Sequence, residues 1–273
     1  MRLFRAKEAV YQQTIHDFGS QWQIHGELRN TYWTSDSMFR DHFGEFFDPK
    51  ILEGKRVCDI GSGSGRILEM ILRYQPGELV GIEPSSNADV LKKRYEDSEI
   101  IQILKAEGEN FETTNFDYIF SLGVIHHINR PLEVLENAFN HLKPGGMLLF
   151  WVYGYENNRL YVLLQKCLRL LTKELNDTFL DKISLAFSFA VDLYFLTSKT
   201  FFFSKLPLTM YIKEVFNPCS RQEKKYIVFD QLNPAYAKYY RLEELEELMS
   251  KFKFTNVKYY HRHRYSWTLI CTK

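Results

Sequence analysis

The chain has 273 residues, of which 45% are hydrophobic and 16% aromatic, enough for one α/β domain with additions. Its formal net charge of +1 excludes a broadly basic surface, so we expect no nucleic-acid partner, because such partners require an electrostatic footprint. The four cysteines are scattered and the first residues lack the apolar run of a signal peptide, which favours reduced thiols in a cytoplasmic protein.

The N-terminal segment, residues 1–48, precedes the first predicted strand and carries two aromatic groups, at 18–22 and 31–33. Such a segment either closes over a ligand as a cap or simply packs against the domain, and the sequence leaves both explanations open. We divide the chain into this N-terminal cap, a ligand-binding domain formed by 49–155 and 230–273, and a helical insertion or lid at 156–229.

A glycine-rich turn follows the first predicted strand, residues 57–60. Gly61, Gly63 and Gly65 alternate with serines, and an amphipathic helix begins at Arg66. Glycines let the backbone approach a ligand, and the free N–H groups of the helix can bind polar groups. A strand, a glycine loop and a helix in this order predict a nucleotide-like ligand at the carboxyl end of a parallel sheet. Arg66 replaces the third glycine of the dinucleotide fingerprint, which argues against a nicotinamide-dependent oxidoreductase.

Three further motifs follow in order. The second predicted strand ends in Glu83, and the third is followed by Glu107. Segments 116–128 and 142–150 have the pattern of a fourth strand and of a turn into a fifth. With Asp59 two residues before the first glycine, the set resembles the motifs of class I S-adenosylmethionine-dependent methyltransferases over about residues 55–153.

The resemblance implies S-adenosylmethionine as the cofactor. It also implies a Rossmann-like α/β sheet of seven strands, the last one antiparallel, with an N-terminal helical cap and a mainly helical insertion after the fifth strand. Glu83 is then expected to bind both ribose hydroxyls, and Glu107 the adenine amino group. The implied cofactor-binding residues are Asp59, Gly61, Ser62, Gly63, Gly65, Glu83, Pro84, Glu107, Gly108, Leu122 and Gly123.

The insertion at 156–229 is the most apolar part of the chain. It predicts two helices, about 160–175 and 180–196, and contains the aromatic cluster 200–204. Lys182, Asp192 and Lys199 interrupt its apolar run, so we expect no membrane span. Packing within the chain or in a homodimer is one explanation of its composition. Peripheral contact with lipid, or a pocket for an apolar substrate, is the other.

The chain ends with a predicted helix at 241–251 and two strands, 256–260 and 266–272, whose turn should lie at the ligand edge. His261 and His263 near that turn, and His127 after the fourth strand, are our candidates for a general base, since histidine titrates in the useful range. A loop-shaping role is the alternative for His126 or His127. The expected acceptor-binding residues are Tyr153, Tyr236, Tyr239, Tyr240 and Arg264.

We therefore expect a methyltransferase that acts on a small molecule, or on a glycan-type or lipid-linked metabolite, with O-methylation as the leading expectation. The alternatives are N- or C-methylation and a non-catalytic cofactor-binding partner protein. A nicotinamide-dependent oxidoreductase ranks below these. We expect no metal site, because no cluster of histidine, cysteine and acidic residues has ligand spacing.

Overall fold

A computed structural model describes residues 2–25, 31–172, 175–198 and 208–273. One seven-stranded sheet has the order β3-β2-β1-β4-β5-β7-β6. Strands β1 to β5 pair in parallel, and β7 runs antiparallel to both β5 and β6, which confirms the predicted sheet. The strands are β1 (Arg56–Ile60), β2 (Glu78–Ile82), β3 (Ile101–Leu104), β4 (Phe116–Leu122), β5 (Leu142–Tyr153), β6 (Thr255–Arg262) and β7 (Ser266–Thr272).

Helices cover both faces of the sheet, which is why the inner parallel strands are apolar on both sides. They are α1 (Arg2–His25), α2 (Asp36–Asp41), α3 (Arg66–Leu72), α4 (Asn87–Arg94), α5 (Pro131–His141), α6 (Arg159–Thr172), α7 (Asp177–Ser198), α8 (Thr209–Tyr211, continued by a π-helical turn over Ile212–Phe216), α9 (Arg221–Leu232) and α10 (Leu242–Met249). The predicted helical insertion is thus present as α6 to α9.

The core has two layers because successive residues of a strand point to opposite faces. Val57 of β1 packs in one layer with residues of α2, α3 and α4. Its neighbours Cys58 and Ile60 pack in the other layer with residues of α5 and α10. Burial on both faces holds the carboxyl ends of β1, β2 and β4 side by side, where the connecting loops begin.

The insertion packs through α9 and leaves part of its surface apolar. Asp192 of α7 forms ion pairs with Arg221 and Lys224 of α9, the latter at 2.8 Å. Large apolar side chains that are 38% to 66% exposed lie on α6 and α7, namely Leu160, Leu163, Leu164, Phe179, Leu185, Phe189, Leu193 and Leu196. In the described part of the chain, no helix is long and apolar enough to cross a membrane. The homodimer and lipid contact stay predictions, and the aromatic cluster 200–204 lies outside the described residues.

Candidate active site

The turn between β1 and α3 requires left-handed backbone at alternate residues. Gly61, Gly63 and Gly65 have φ angles of +79°, +54° and +86°, values that side chains with a Cβ rarely adopt. A Cβ at Gly61 would collide with Val124, and one at Gly63 would lie 2.9 Å from the Trp22 ring. Because these glycines have no Cβ, other groups can approach the backbone of this loop closely, as the sequence predicts.

Glu83, directly after β2, is bonded to the glycine loop. Its Oε2 accepts a hydrogen bond from the Gly63 N–H at 2.7 Å, and its Oε1 accepts one from the Ser85 N–H at 3.0 Å. A carboxylate offers about four lone-pair positions, so each oxygen keeps one for a further donor. These two backbone bonds orient the group and leave it able to bind two ribose hydroxyls.

Asp59 lies in β1 directly behind the loop and is 1% exposed. Among the described residues, neither of its carboxylate oxygens has a hydrogen-bond partner. Burial raises the pKa of Asp59 to about 7, although the neighbouring Ser62 side chain and the Arg66 guanidinium favour the charged form. A buried carboxylate without a donor suits a cationic ligand, and the amino-acid end of S-adenosylmethionine carries such a charge.

A cavity opens above the glycine loop at the carboxyl edge of the sheet. Eight of the expected cofactor residues line it: Gly61, Ser62, Gly63, Glu83, Pro84, Gly108, Leu122 and Gly123. The other three do not. Asp59 lies behind the loop, and Gly65 is covered by Leu91 and Arg94 of α4. Glu107 is not in the cavity lining and accepts a hydrogen bond from Gln12 of α1 at 3.3 Å. Its role at the adenine stays a prediction.

One face of α1 covers this cavity. Tyr11, Thr14, Ile15, Phe18 and Trp22 line it, at the spacing of one helix face. Phe18 contacts the His127 ring edge-on at 4.8 Å between ring centres. In the sequence, the aromatics at 18–22 were the only part of this helix expected near the ligand. The helical spacing from Tyr11 onward is the signal that predicts a whole helix face at the site.

A polar group completes the cavity wall. The Tyr153 hydroxyl donates to Asp230 at 3.3 Å and accepts from the Gln231 amide at 2.6 Å. Gln21 of α1 donates to the other oxygen of Asp230 at 2.9 Å. Burial raises the pKa of Asp230 above the ordinary aspartate value. Asp230 and Gln231 were not among the expected site residues, although they lie a few residues before Tyr236, which was.

His127 lines the cavity as a neutral ring. Its Nδ1 lies 2.7 Å from the Tyr236 carbonyl oxygen, which can only accept, so Nδ1 carries the proton and Nε2 the lone pair. Burial lowers the pKa of His127 to about 3. Such a weak base fits the loop-shaping alternative better than the catalytic one.

His261 and His263 do not reach the cavity, which corrects our expectation that one of them is the base. His261 stacks on Trp267 with 4.1 Å between ring centres. The Nε2 of His263 is paired with Asp41 at 2.8 Å. The turn does lie at the carboxyl edge, but Tyr265, two residues after His263, lines the cavity instead.

The expected acceptor-binding residues are divided by the fold. Tyr153 lines the cavity, and Tyr239 stacks behind it at 5.2 Å between ring centres. Tyr240 is buried in the core, and Tyr236 contributes its carbonyl oxygen to His127. Arg264 lines a separate cleft. Trp33, from the aromatic group 31–33, also lines the cavity. The other large residues of the cavity wall were not among the expected site residues: Arg66, Trp151, Tyr211, Tyr226 and Tyr265.

Comparison with known proteins agrees with this geometry. A family model described as a methyltransferase domain matches residues 58–148. A solved N1-methyltransferase from Burkholderia thailandensis, which acts on 1,6-didemethyltoxoflavin, has the same fold, with a TM-score of 0.51 over 98% of this chain and 89% of that one at 12% identity. The fold and the cofactor loop are thus those of an S-adenosylmethionine-dependent methyltransferase. Residues 58–148 are thus a methyltransferase domain of the class I type, and S-adenosylmethionine is the cofactor.

The sequence relatives have a more specific name. The chain is 32% identical over 149 residues to a tRNA U34 carboxymethyltransferase of Pseudoalteromonas atlantica, covering 52% of this chain and 45% of the relative. It is 37% identical over 108 residues to one of Helicobacter acinonychis, covering 36% and 40%. The chain spans less than half the length of these relatives.

These relatives contradict two of our expectations. Their name includes an RNA, which overturns both the small-molecule, glycan-type or lipid-linked acceptor and the absence of a nucleic-acid partner. The expectation of no nucleic-acid partner rested on the net charge, but a total of +1 is compatible with a basic patch at one place on the surface. Among the described residues, no group of three or more histidine, cysteine or acidic side chains is arranged to hold a metal ion.

We predict that Gly63→Ala lowers the affinity for S-adenosylmethionine by about tenfold or more, because the methyl group meets Trp22 in a loop that touches the ligand. Calorimetric titration measures this. Gly54→Ala is the matched control, since Gly54 has a φ of +65° with nothing within 4 Å of the added carbon. The control should lose about 1 kcal/mol of stability and keep its affinity. Equal affinities in the two variants would contradict the placement of the loop.

We predict that Asp59→Asn stabilises the cofactor-free protein at high pH. The folded pKa of about 7 exceeds the ordinary value of 3.8, so the folded state binds the proton more tightly and loses stability as pH rises between these values. The gain should grow from pH 5 to pH 8 toward an upper bound of about 4 kcal/mol, measured by denaturant unfolding.

The control for this experiment is Asp117→Asn. Against its partial burial, the hydrogen bond from Lys143 lowers the pKa of Asp117 below the ordinary 3.8. Its stabilising contribution is therefore complete above about pH 5, and this variant should be destabilised by an amount that stays constant from pH 5 to pH 8. Asp59→Asn should also weaken S-adenosylmethionine binding. An unchanged affinity together with a stability gain that does not depend on pH would contradict a buried charge that faces the ligand.

Proposed function

We propose that this protein is an RNA-modifying methyltransferase whose acceptor is a uridine base of tRNA, with U34 as the first candidate. The observation that carries the proposal is the similarity, at about 30% identity, to proteins named tRNA U34 carboxymethyltransferase. Because the chain spans less than half of them, the substrate is proposed on this similarity together with the chemistry of the cavity. Action on tRNA would place the protein in the cytoplasm.

The cavity suits a base that has been turned out of its strand. Enzymes that modify a base move it into a pocket, stack it on aromatic side chains and read its edge by hydrogen bonds. Trp151, Tyr153 and Tyr265 supply aromatic faces. Uracil presents one N–H between two carbonyl oxygens. The Asp230 carboxylate can accept from that N–H, and the Gln231 amide can donate to a carbonyl.

The reaction divides the work between cofactor and protein. When bound, the cofactor supplies a methyl group activated by its sulfonium. The chain holds the acceptor in line with that group and accepts a proton from an acceptor O–H or N–H. Asp230 is better suited to take the proton than His127, because burial strengthens the carboxylate as a base and weakens the imidazole.

The direct test is to incubate the purified protein with tRNA and isotopically labelled S-adenosylmethionine, then digest the RNA and analyse its nucleosides by mass spectrometry. We expect the label in a modified uridine. The mass of the added group distinguishes a methyl from a carboxymethyl group. Unmodified tRNA, together with labelled metabolites from a cell extract, would contradict an RNA acceptor.

We predict that Asp230→Asn lowers kcat by about 100-fold, the usual contribution of a general base, while the Kd values of tRNA and cofactor stay within about threefold. In the wild type, log kcat should rise with pH until Asp230 is ionised, and this slope should vanish in the variant. Asp17→Asn is the matched control, because burial also raises the pKa of Asp17 and its side chain lies outside the cavity. Near-normal turnover of Asp230→Asn would assign the base elsewhere.

A further inference from the structure

A second opening of about 1260 Å³ lies beside the cavity. The two share a wall formed by chain neighbours. Tyr211 and Tyr265 face the cavity and stack on each other at 4.3 Å between ring centres. Met210 and Arg264, the adjoining residues, face the cleft. Whatever binds in the cleft is therefore one residue away from the acceptor side of the cavity.

Three arginines line the cleft. Arg159, Arg241 and Arg264 are exposed, and in the described part of the chain none of them forms an ion pair. The guanidinium groups of Arg241 and Arg159 lie 4.8 Å and 5.9 Å from the centre of the Tyr155 ring. Arg264 donates a hydrogen bond to the side-chain amide oxygen of Asn157 at 3.4 Å. These groups are available to an anion.

The acidic residues of the cleft are mostly occupied. Glu156 accepts hydrogen bonds from the Leu242 N–H at 2.7 Å and from the Trp267 indole at 2.9 Å. Glu244 is paired with Lys238 at 2.9 Å. Glu243 alone has no partner among the described residues. The neutral donors to Glu156 do not cancel its charge, so among the described residues three arginines of the cleft face two carboxylates, Glu156 and Glu243, that no cation pairs with. The local balance of the cleft is therefore positive, although the whole chain is nearly neutral.

Left-handed backbone shapes one side of the cleft. Seven non-glycine residues of the described chain have positive φ, and four of them line this opening: Asn157, Leu208, His263 and Arg264. His263 and Arg264 are the central residues of the tight turn between β6 and β7, closed by the hydrogen bond from the Tyr265 N–H to the Arg262 carbonyl oxygen, where positive φ at both positions is the usual geometry. The turn conformation of Arg264 brings its guanidinium beside Asn157, on the same cleft as Arg159 and Arg241.

We propose that this cleft binds the phosphodiester backbone of the RNA strand whose base enters the cavity, an inference that rests on the proposed function. A base turned out of its strand leaves the flanking phosphates at the mouth of the pocket. Guanidinium groups bind phosphate oxygens through paired hydrogen bonds. Tyr155, which lines the cleft close to Arg159 and Arg241, supplies an aromatic ring for stacking with a neighbouring unstacked base.

The test measures binding of fluorescently labelled tRNA to the full chain at several salt concentrations. The variant combines Arg159→Gln, Arg241→Gln and Arg264→Gln. The control combines Lys92→Gln, Lys93→Gln and Lys253→Gln. These three lysines are exposed and lie outside the cleft, and their substitution removes the same total charge. We expect the arginine variant to bind tRNA at least about tenfold more weakly, with a salt slope smaller by about 2. The control should change affinity less than about threefold, and both should bind S-adenosylmethionine like the wild type.

The outcomes separate the two proposals. A variant that binds tRNA like the wild type, while the wild type modifies tRNA, overturns the cleft and leaves the proposed function intact. A wild type that neither binds nor modifies RNA overturns both. Lost binding to phosphatidylserine and phosphatidylcholine vesicles with intact tRNA binding would assign the cleft to a lipid surface instead. If the triple variant unfolds, Arg264→Glu alone, in an exposed turn, should still weaken tRNA binding by about threefold or more, and unchanged affinity would overturn the inference.

Discussion

The glycine turn at residues 61–65 is the constraint on which the rest of the site depends. The N–H groups of Gly61 and Ser62 both donate to the Ile82 carbonyl oxygen, at 2.8 Å and 3.0 Å, and the Gly63 N–H donates to Glu83. These bonds join the ends of β1 and β2 through backbone that only glycine adopts without strain. With no side chains on the loop at these positions, α1 can lie over it, and Trp22 packs directly against Gly63. The position of the cavity follows from this one turn.

Two buried carboxylates give the cavity its chemical asymmetry. Asp59 lies behind the cofactor loop without a donor, and Asp230 lies in the wall with donors from α1 and β5. Burial raises the pKa of both groups, so each is unfavourable for the folded state when charged. A cationic ligand near Asp59 and a proton donor near Asp230 would each recover part of that energy. The features that limit stability are thus the ones that suit the site to its ligands.

The basic cleft and the neutral whole chain show why total charge was a poor guide to the partner. Many charged residues of the described chain are paired locally, as Asp192 is with Arg221 and Lys224. Screening limits each charge to about 10 Å, so a partner responds to the local balance and not to the sum. The sequence does not reveal that Arg159, Arg241 and Arg264 line one cleft, because Arg159 and Arg264 are 105 positions apart. Only the similarity to tRNA-directed relatives reopened the question of a nucleic acid.

Local sequence determined the elements whose signal is contained within a few residues. The order of strands and helices and the cofactor loop from Asp59 to Gly65 follow from apolar periodicity and from the backbone freedom of glycine. The acid at Glu83 follows from its place after a strand. Tertiary structure decided the acceptor side. It turned His261 and His263 toward Trp267 and Asp41, and it brought Asp230 to Tyr153 across 77 residues of sequence. Side-chain direction at such positions depends on packing between distant segments, and no short pattern encodes that packing.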